Sequence, residues 1–198
     1  MFEKLLANVK YYISKVVVFL LGWKMQGTMP SGIQKFVLIC IPHTSNWDFL
    51  YMMLSAWHYK VKIRWMGKKE MFKNIFSNFI CSKIGGLEVD RSQANKTVEK
   101  IVNIIKDTPN KVCLVIAPEG SRSKKDGIRS GFYNISVLGK FPIALGFVDY
   151  AKKRMGIGPL MKASGDIHKD LVIIKEFYKE VTGRHPKNQS PIEIVSRN

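Results

Sequence analysis

Residues 36–48 read Phe-Val-Leu-Ile-Cys-Ile-Pro-His-Thr-Ser-Asn-Trp-Asp. Residues 36–41 are a β-rich apolar run closed by Pro42, the pattern of a buried strand. Residues 47–58 then change period: Phe49, Met52, Met53 and Ala56 recur at helical spacing. A strand passing through a short loop into a helix opens a βαβ unit. The loop between them holds a histidine, His43, and the first helical turn holds a carboxylate, Asp48.

Outward from this unit the alternation continues. Residues 61–66 read as a strand, 70–84 as a helix ended by Gly85-Gly86, and 87–89 as a short extended piece. Residues 93–106 form a helix with Val98, Ile101, Val102 and Ile105 on one face, and Pro109-Asn110 turns the chain. Residues 112–117 are the strongest strand, bounded by Pro118. A charged loop over 119–129 leads to a helix at 131–138, a strand at 142–148, an extended segment at 156–163 and a helix at 168–181. Strands alternating with helices predict an α/β domain: a largely parallel or mixed central sheet flanked by helices. Its expected span is 33–183, preceded by a helix and linker over 1–32 and followed by a polar, loose tail over 184–198.

The charge is unusual. Thirty-two Lys and Arg against 15 Asp and Glu leave a net charge of +17. Such a surface attracts polyanions, of which nucleic acid and anionic lipid are the common ones. A basic nucleic-acid-binding protein is the competing class. It calls for a recognisable module, and none is present, so nucleic acid is not an expected partner. Cys40, Cys81 and Cys113 have no close pair and read as reduced core residues in a cytosolic setting. No Cys/His spacing suggests a metal site.

Residues 1–25 mix Lys4, Lys10, Lys15 and Lys24 with apolar residues at helical spacing. The unbroken apolar part falls short of the roughly 20 residues a spanning helix needs, and no small-residue cleavage site follows. One reading is an N-terminal amphipathic membrane-surface helix, with lysines among the headgroups and Trp23 at the boundary. The other is a helix packed on its own domain. Phe72, Phe76 and Phe79 also follow helical spacing and read as core or, less simply, as an acyl-chain channel.

Three segments carry polar chemistry. His43 lies just past a strand end, where open α/β sheets bind ligands, and the chain can fold it back onto Asp48. A carboxylate on one ring nitrogen fixes the tautomer and supports the imidazolium formed when the other nitrogen takes a proton. The second segment, Pro118-Glu119-Gly120-Ser121-Arg122-Ser123, also follows a strand. Gly120 permits close backbone approach, Arg122 offers a planar fork for phosphate, and Ser121 adds a hydroxyl. Ser121 lacks the Gly-x-Ser-x-Gly elbow of a hydrolase nucleophile. In the third, Arg91 sits at the expected start of a helix, where N–H groups favour an anion. Lys68, Lys69 and the helix start at Ser130-Gly131 could add to an anion site or be ordinary surface. His58, His168 and His185 read as surface or packing residues.

In order, these segments resemble the motifs of the glycerolipid acyltransferase family, which includes the 1-acyl-glycerol-3-phosphate acyltransferases. His43 and Asp48 match its Asn-His-x-x-x-x-Asp box, with Pro42 in place of Asn. Pro118, Glu119, Gly120, Arg122 and Ser123 match its Phe-Pro-Glu-Gly-Thr-Arg-Ser box, with Ala117 for Phe and Ser121 for Thr. Arg91 matches the arginine of its second motif, and Phe141-Pro142-Ile143 its fourth. The resemblance covers about residues 36–147. It implies that His43 deprotonates an acceptor hydroxyl, which attacks the thioester of acyl-CoA or acyl carrier protein, while Asp48 holds His43. It implies that Arg91, Glu119, Gly120, Ser121 and Arg122 hold the acceptor's phosphate, with Glu119 ordering the arginines. It further implies direct transfer with neither cofactor nor metal, on lysophosphatidate or another lysolipid, at an anionic membrane surface. The expected location is the cytoplasmic face of the cell membrane, peripheral or monotopic.

Overall fold

The computed structural model describes residues 2–89 and 94–195. In chain order it comprises α1 (Phe2–Leu20), β1 (Lys24–Gln26), β2 (Lys35–Cys40), α2 (Trp47–His58) and β3 (Lys62–Lys68). A 3-10 turn (Lys69–Phe72), α3 (Ile75–Lys83), β4 (Gly86–Val89), α4 (Ala94–Asp107) and β5 (Val112–Ile116) follow. The chain continues through α5 (Gly131–Gly139), β6 (Ile143–Asp149), β7 (Arg154–Met161) and α6 (Ile167–Tyr178) to a second 3-10 turn (Pro186–Asn188).

Among the described residues, seven strands form one mixed sheet in the order β1-β7-β6-β2-β5-β3-β4, antiparallel only between β6 and β7. β2 is central, flanked by β5 and β6. The strand quoted first therefore sits where apolar side chains can be covered on both faces. Val37, Ile39, Leu114, Ile143 and Leu145 point to the face covered by α4, α5 and α6, against Ile101, Ile105, Phe132, Ile135 and Ile174. Phe36, Cys113, Val115, Ile63 and Trp65 point the other way, against Ala56, Phe49 and Met52 of α2 and against Phe72. α6 begins where the Asp166 side chain accepts hydrogen bonds from the His168 and Lys169 N–H groups, an N-cap that fixes its start.

Three elements differ from the sequence reading. The first helix stops at Leu20 rather than continuing to residue 25, because Gly22 turns the chain at φ +70. Residues 24–26 then join the sheet as an edge strand beside β7. That pairing depends on glycine: a Cβ on Gly27 or Gly156 would strike the facing carbonyl oxygen of Ile157 or Gln26. The expected helix over 70–84 is divided, because Asn74 is extended and its side chain caps the N–H of Ser77, starting α3 afresh. The segment beyond Gly183 is packed: the Lys125 N–H bonds Ser190 Oγ, and Ile128 bridges to Ile194. All the cysteines are free; Cys113 is buried, while Cys40 and Cys81 are only partly so.

α1 lies antiparallel along α2 on the outer side of the same layer. Ser14 Oγ donates to the Leu54 carbonyl at 2.8 Å, and Val18 and Trp23 pack with Tyr51, Leu54 and Met155. Its opposite side carries Leu5, Val9, Tyr12, Val16, Phe19 and Leu20, all exposed. The helix thus has one apolar stripe on its own domain and another facing outward. Among the described residues, no helix is long and apolar enough to cross a membrane.

Candidate active site

The carboxyl ends of β2, β5 and β6 bring the site together. β2 runs out at Cys40, and the chain turns through Pro42 and His43 into α2. The backbone there wraps around the side chain of Asp48. Asp48 Oδ2 accepts hydrogen bonds from the N–H groups of Thr44 and Ser45 and meets His43 Nδ1, each at 3.0 Å. Its other oxygen, Oδ1, accepts from Tyr150 Oη at 2.6 Å. Burial would raise the pKa of Asp48, but the bonds from His43, Tyr150 and Ser45 outweigh it and hold the carboxyl below its ordinary value. The carboxylate is therefore ionised, fixes the imidazole through Nδ1 and leaves Nε2 for a substrate.

β5 supplies the next wall. Glu119 is 4% exposed, and its Oε2 accepts the His43 backbone N–H at 2.8 Å. Burial pushes the Glu119 carboxyl up to about 7, against the opposing pull of the His43 N–H. Its other oxygen, Oε1, is buried and has no hydrogen-bond partner among the described residues. Through Oε2 this carboxyl holds the backbone of the histidine. Gly120 follows at φ +63, with its N–H bonded to the Ala117 carbonyl. Ser121 Oγ and Ser123 Oγ lie 2.8 Å apart, and Arg122 between them is exposed. So His43 contacts both Asp48 and Glu119, and Gly120, Ser121 and Arg122 follow in the same turn. Arg91 lies outside the described residues, as does Ser92 beside it.

β6 supplies what the sequence reading missed. Tyr150, just past its end, bonds Asp48 from 102 positions away, and burial followed by that bond raises its pKa, so it remains a donor. Tyr150 packs edge-on against Trp23 and Tyr51. From the C-terminal segment, the Arg184 guanidinium lies over the rings of Trp47 and Tyr150, and the His185 N–H bonds Thr44 Oγ1. None of these contacts has a spacing signal. The one available hint is the position of Tyr150 at a carboxyl strand end. Cys40, at the end of β2, is no rival nucleophile: burial first, then the charges of Asp48 and Glu119, push its thiol up to about 12.

Fold and site together define an α/β protein with a histidine–carboxylate centre at the carboxyl edge of its sheet. The model of the acyltransferase family matches residues 25–164, most of the sequence, and the chain belongs to that family. Among solved structures it is similar to the 1-acyl-sn-glycerophosphate (LPA) acyltransferase PlsC from Thermotoga maritima, at a TM-score of 0.53 and 16% identity. That match covers 90% of this chain and 77% of the other, and it extends to the mixed α/β architecture. No curated protein matches the chain.

Proposed function

We propose that this acyltransferase moves a fatty-acyl group from a thioester donor, acyl-CoA or acyl carrier protein, to a hydroxyl of lysophosphatidate or a related lysolipid. The observation that carries the reading is the His43–Asp48 contact, with Nε2 left for substrate beside the turn that bears Arg122. His43 Nε2 takes the proton of the acceptor hydroxyl as its oxygen attacks the thioester carbonyl. Asp48 supports the imidazolium. Collapse of the tetrahedral adduct expels the thiolate, which takes the proton back from Nε2. General-base assistance of this kind contributes roughly 10²–10⁴ in rate. The adduct forms directly between donor and acceptor, so no acyl-enzyme is involved.

Arg122 and Ser121, with Gly120 letting the backbone approach, receive the acceptor's phosphate, and Arg91 joins them by its motif. Glu119 acts on this site through His43, whose backbone it holds. The exposed stripe of α1 and the +17 charge support work at an anionic membrane surface, where a lysolipid acceptor resides.

The deciding experiment incubates the protein with radiolabelled acyl-CoA, or acyl carrier protein, and a panel of lysolipids that includes lysophosphatidate. A labelled two-chain product is expected. Absence of transfer to every lysolipid with either donor overturns the proposal.

A further inference from the structure

α3 and the 3-10 turn before it present an apolar surface that the fold leaves uncovered. Ile75 is 92%, Phe76 74% and Phe79 60% exposed, and Met71 and Ile80 stand beside them. This overturns the expectation that Phe76 and Phe79 are core; of the three spaced phenylalanines, only Phe72 turns inward, stacking on Trp65. Large side chains grouped this way on a surface mark an interaction site. The surrounding charges limit the partner. Lys69, Lys73 and Lys83 flank the patch with Glu70 as the one acid between residues 67 and 87, and Lys83 Nζ lies over the Phe79 ring at 5.5 Å.

Placement adds a second argument. Phe72, Cys81 and Ile84 pack on the same sheet face as α2, and α1 lies on the outside of α2. The outward stripe of α1 and the patch of α3 therefore lie on the same side of the sheet. Both combine exposed aliphatic and aromatic side chains with lysines, the composition of an element lying in the headgroup region of a bilayer.

We infer that α3 is a second membrane contact, separate from α1, which inserts Ile75, Phe76 and Phe79 into an anionic lipid surface while Lys69, Lys73 and Lys83 meet the headgroups. In chain order α3 starts just beyond the carboxyl end of β3, the edge of the sheet that carries His43. Docking it would set the site against the layer that holds a lipid acceptor. This contact supplies the orientation that the proposed reaction needs, yet its test does not depend on turnover.

The full-length chain is mixed with vesicles of phosphatidylcholine and phosphatidylglycerol at 7:3, and binding is followed by co-sedimentation. Ile75→Ser, Phe76→Ser and Phe79→Ser combined should weaken binding by at least ~10-fold, since three large side chains lose their lipid burial. Unchanged vesicle affinity overturns the inference. A Phe76→Trp variant gives an independent reading. Its added fluorescence, as the difference from the unsubstituted protein, should shift to the blue on vesicle addition and be quenched by brominated lipid. A tryptophan at residue 76 that stays in water overturns it too. So does a dimer, seen by sedimentation without lipid, that the triple substitution dissociates, because a second copy would then be the occupant. Failure of the transfer assay with vesicle binding intact would count against the proposed reaction and leave this contact standing.

Discussion

Tyr150 Oη donates a hydrogen bond to Asp48 Oδ1 at 2.6 Å, on the side of the carboxylate opposite His43. The carboxylate is thus held by a phenol, two backbone N–H groups and an imidazole, and its orientation is set before substrate arrives. Tyr150→Phe removes one hydroxyl and keeps the ring against Trp23 and Tyr51. A hydrogen bond to a charged group is worth about 1.5–3 kcal/mol, so kcat should fall on the order of tenfold or more while KM for the acceptor changes little. Without the phenol Asp48 is easier to protonate, so the acid limb of the pH–rate profile should move to higher pH. A profile that falls without moving would mean that Tyr150 only packs.

His43→Ala should lower kcat by roughly 10²–10⁴ and leave vesicle binding intact. Asp48→Asn should also be severely impaired, because an amide cannot stabilise the imidazolium and can favour the wrong tautomer. Its loss should exceed that of Tyr150→Phe, which leaves the carboxylate in place. Radiolabel transfer with saturating donor measures all three. Full activity in His43→Ala would remove the imidazole from the chemistry.

The outward stripe of α1 is best tested by substitution. Removing residues 1–25 would also remove Trp23 and most of β1, both of which belong to the packed body. Tyr12→Asp with Val16→Asp places charge on the exposed face and leaves Ser14 and Val18 against α2. Binding to anionic vesicles should weaken by at least ~10-fold, while turnover of a detergent-dispersed acceptor should persist. Added salt should further reduce the residual binding carried by lysines. Undiminished vesicle binding would refute an interfacial role for α1.

The parts of this molecule legible in the sequence are those with local rules. Residues 36–41 are buried on both faces of a sheet, and a short loop carries His43 to a helix that starts at Trp47, so strand, loop, helix and dyad could be read together. Tyr150 could not, because 102 residues separate it from Asp48 and no periodicity joins them. The burial of Glu119 was equally hidden: its motif names a carboxylate, but only tertiary packing brings that carboxylate to the His43 backbone N–H. At α3, helical spacing correctly placed Phe72, Phe76 and Phe79 on a helix or its approach. Periodicity tells which residues share a side and cannot say whether that side is covered by protein or left exposed. The edge strand β1 is three residues long, and its pairing with β7 rests on close backbone approach at Gly27 and Gly156, which no local pattern announces.

Glu119 gives the fold a pH dependence with a definite sign. Burial raises its carboxyl from 4.5 to about 7 in the folded protein, so the native state binds this proton more tightly than the unfolded chain. The protonated form adds stability that is fully present below pH 4.5 and is lost as pH rises through 7. The linkage amounts to roughly 3 kcal/mol. Glu119→Gln keeps an oxygen that can accept the His43 N–H and cannot ionise, so this component of the pH dependence should vanish. Urea unfolding from pH 4 to 8 measures it: the stability difference between variant and parent should grow in the variant's favour above pH 5 and level off beyond about 7. A difference that stays flat across this range would place an ionised, well-compensated Glu119 in the folded protein at all of these pH values.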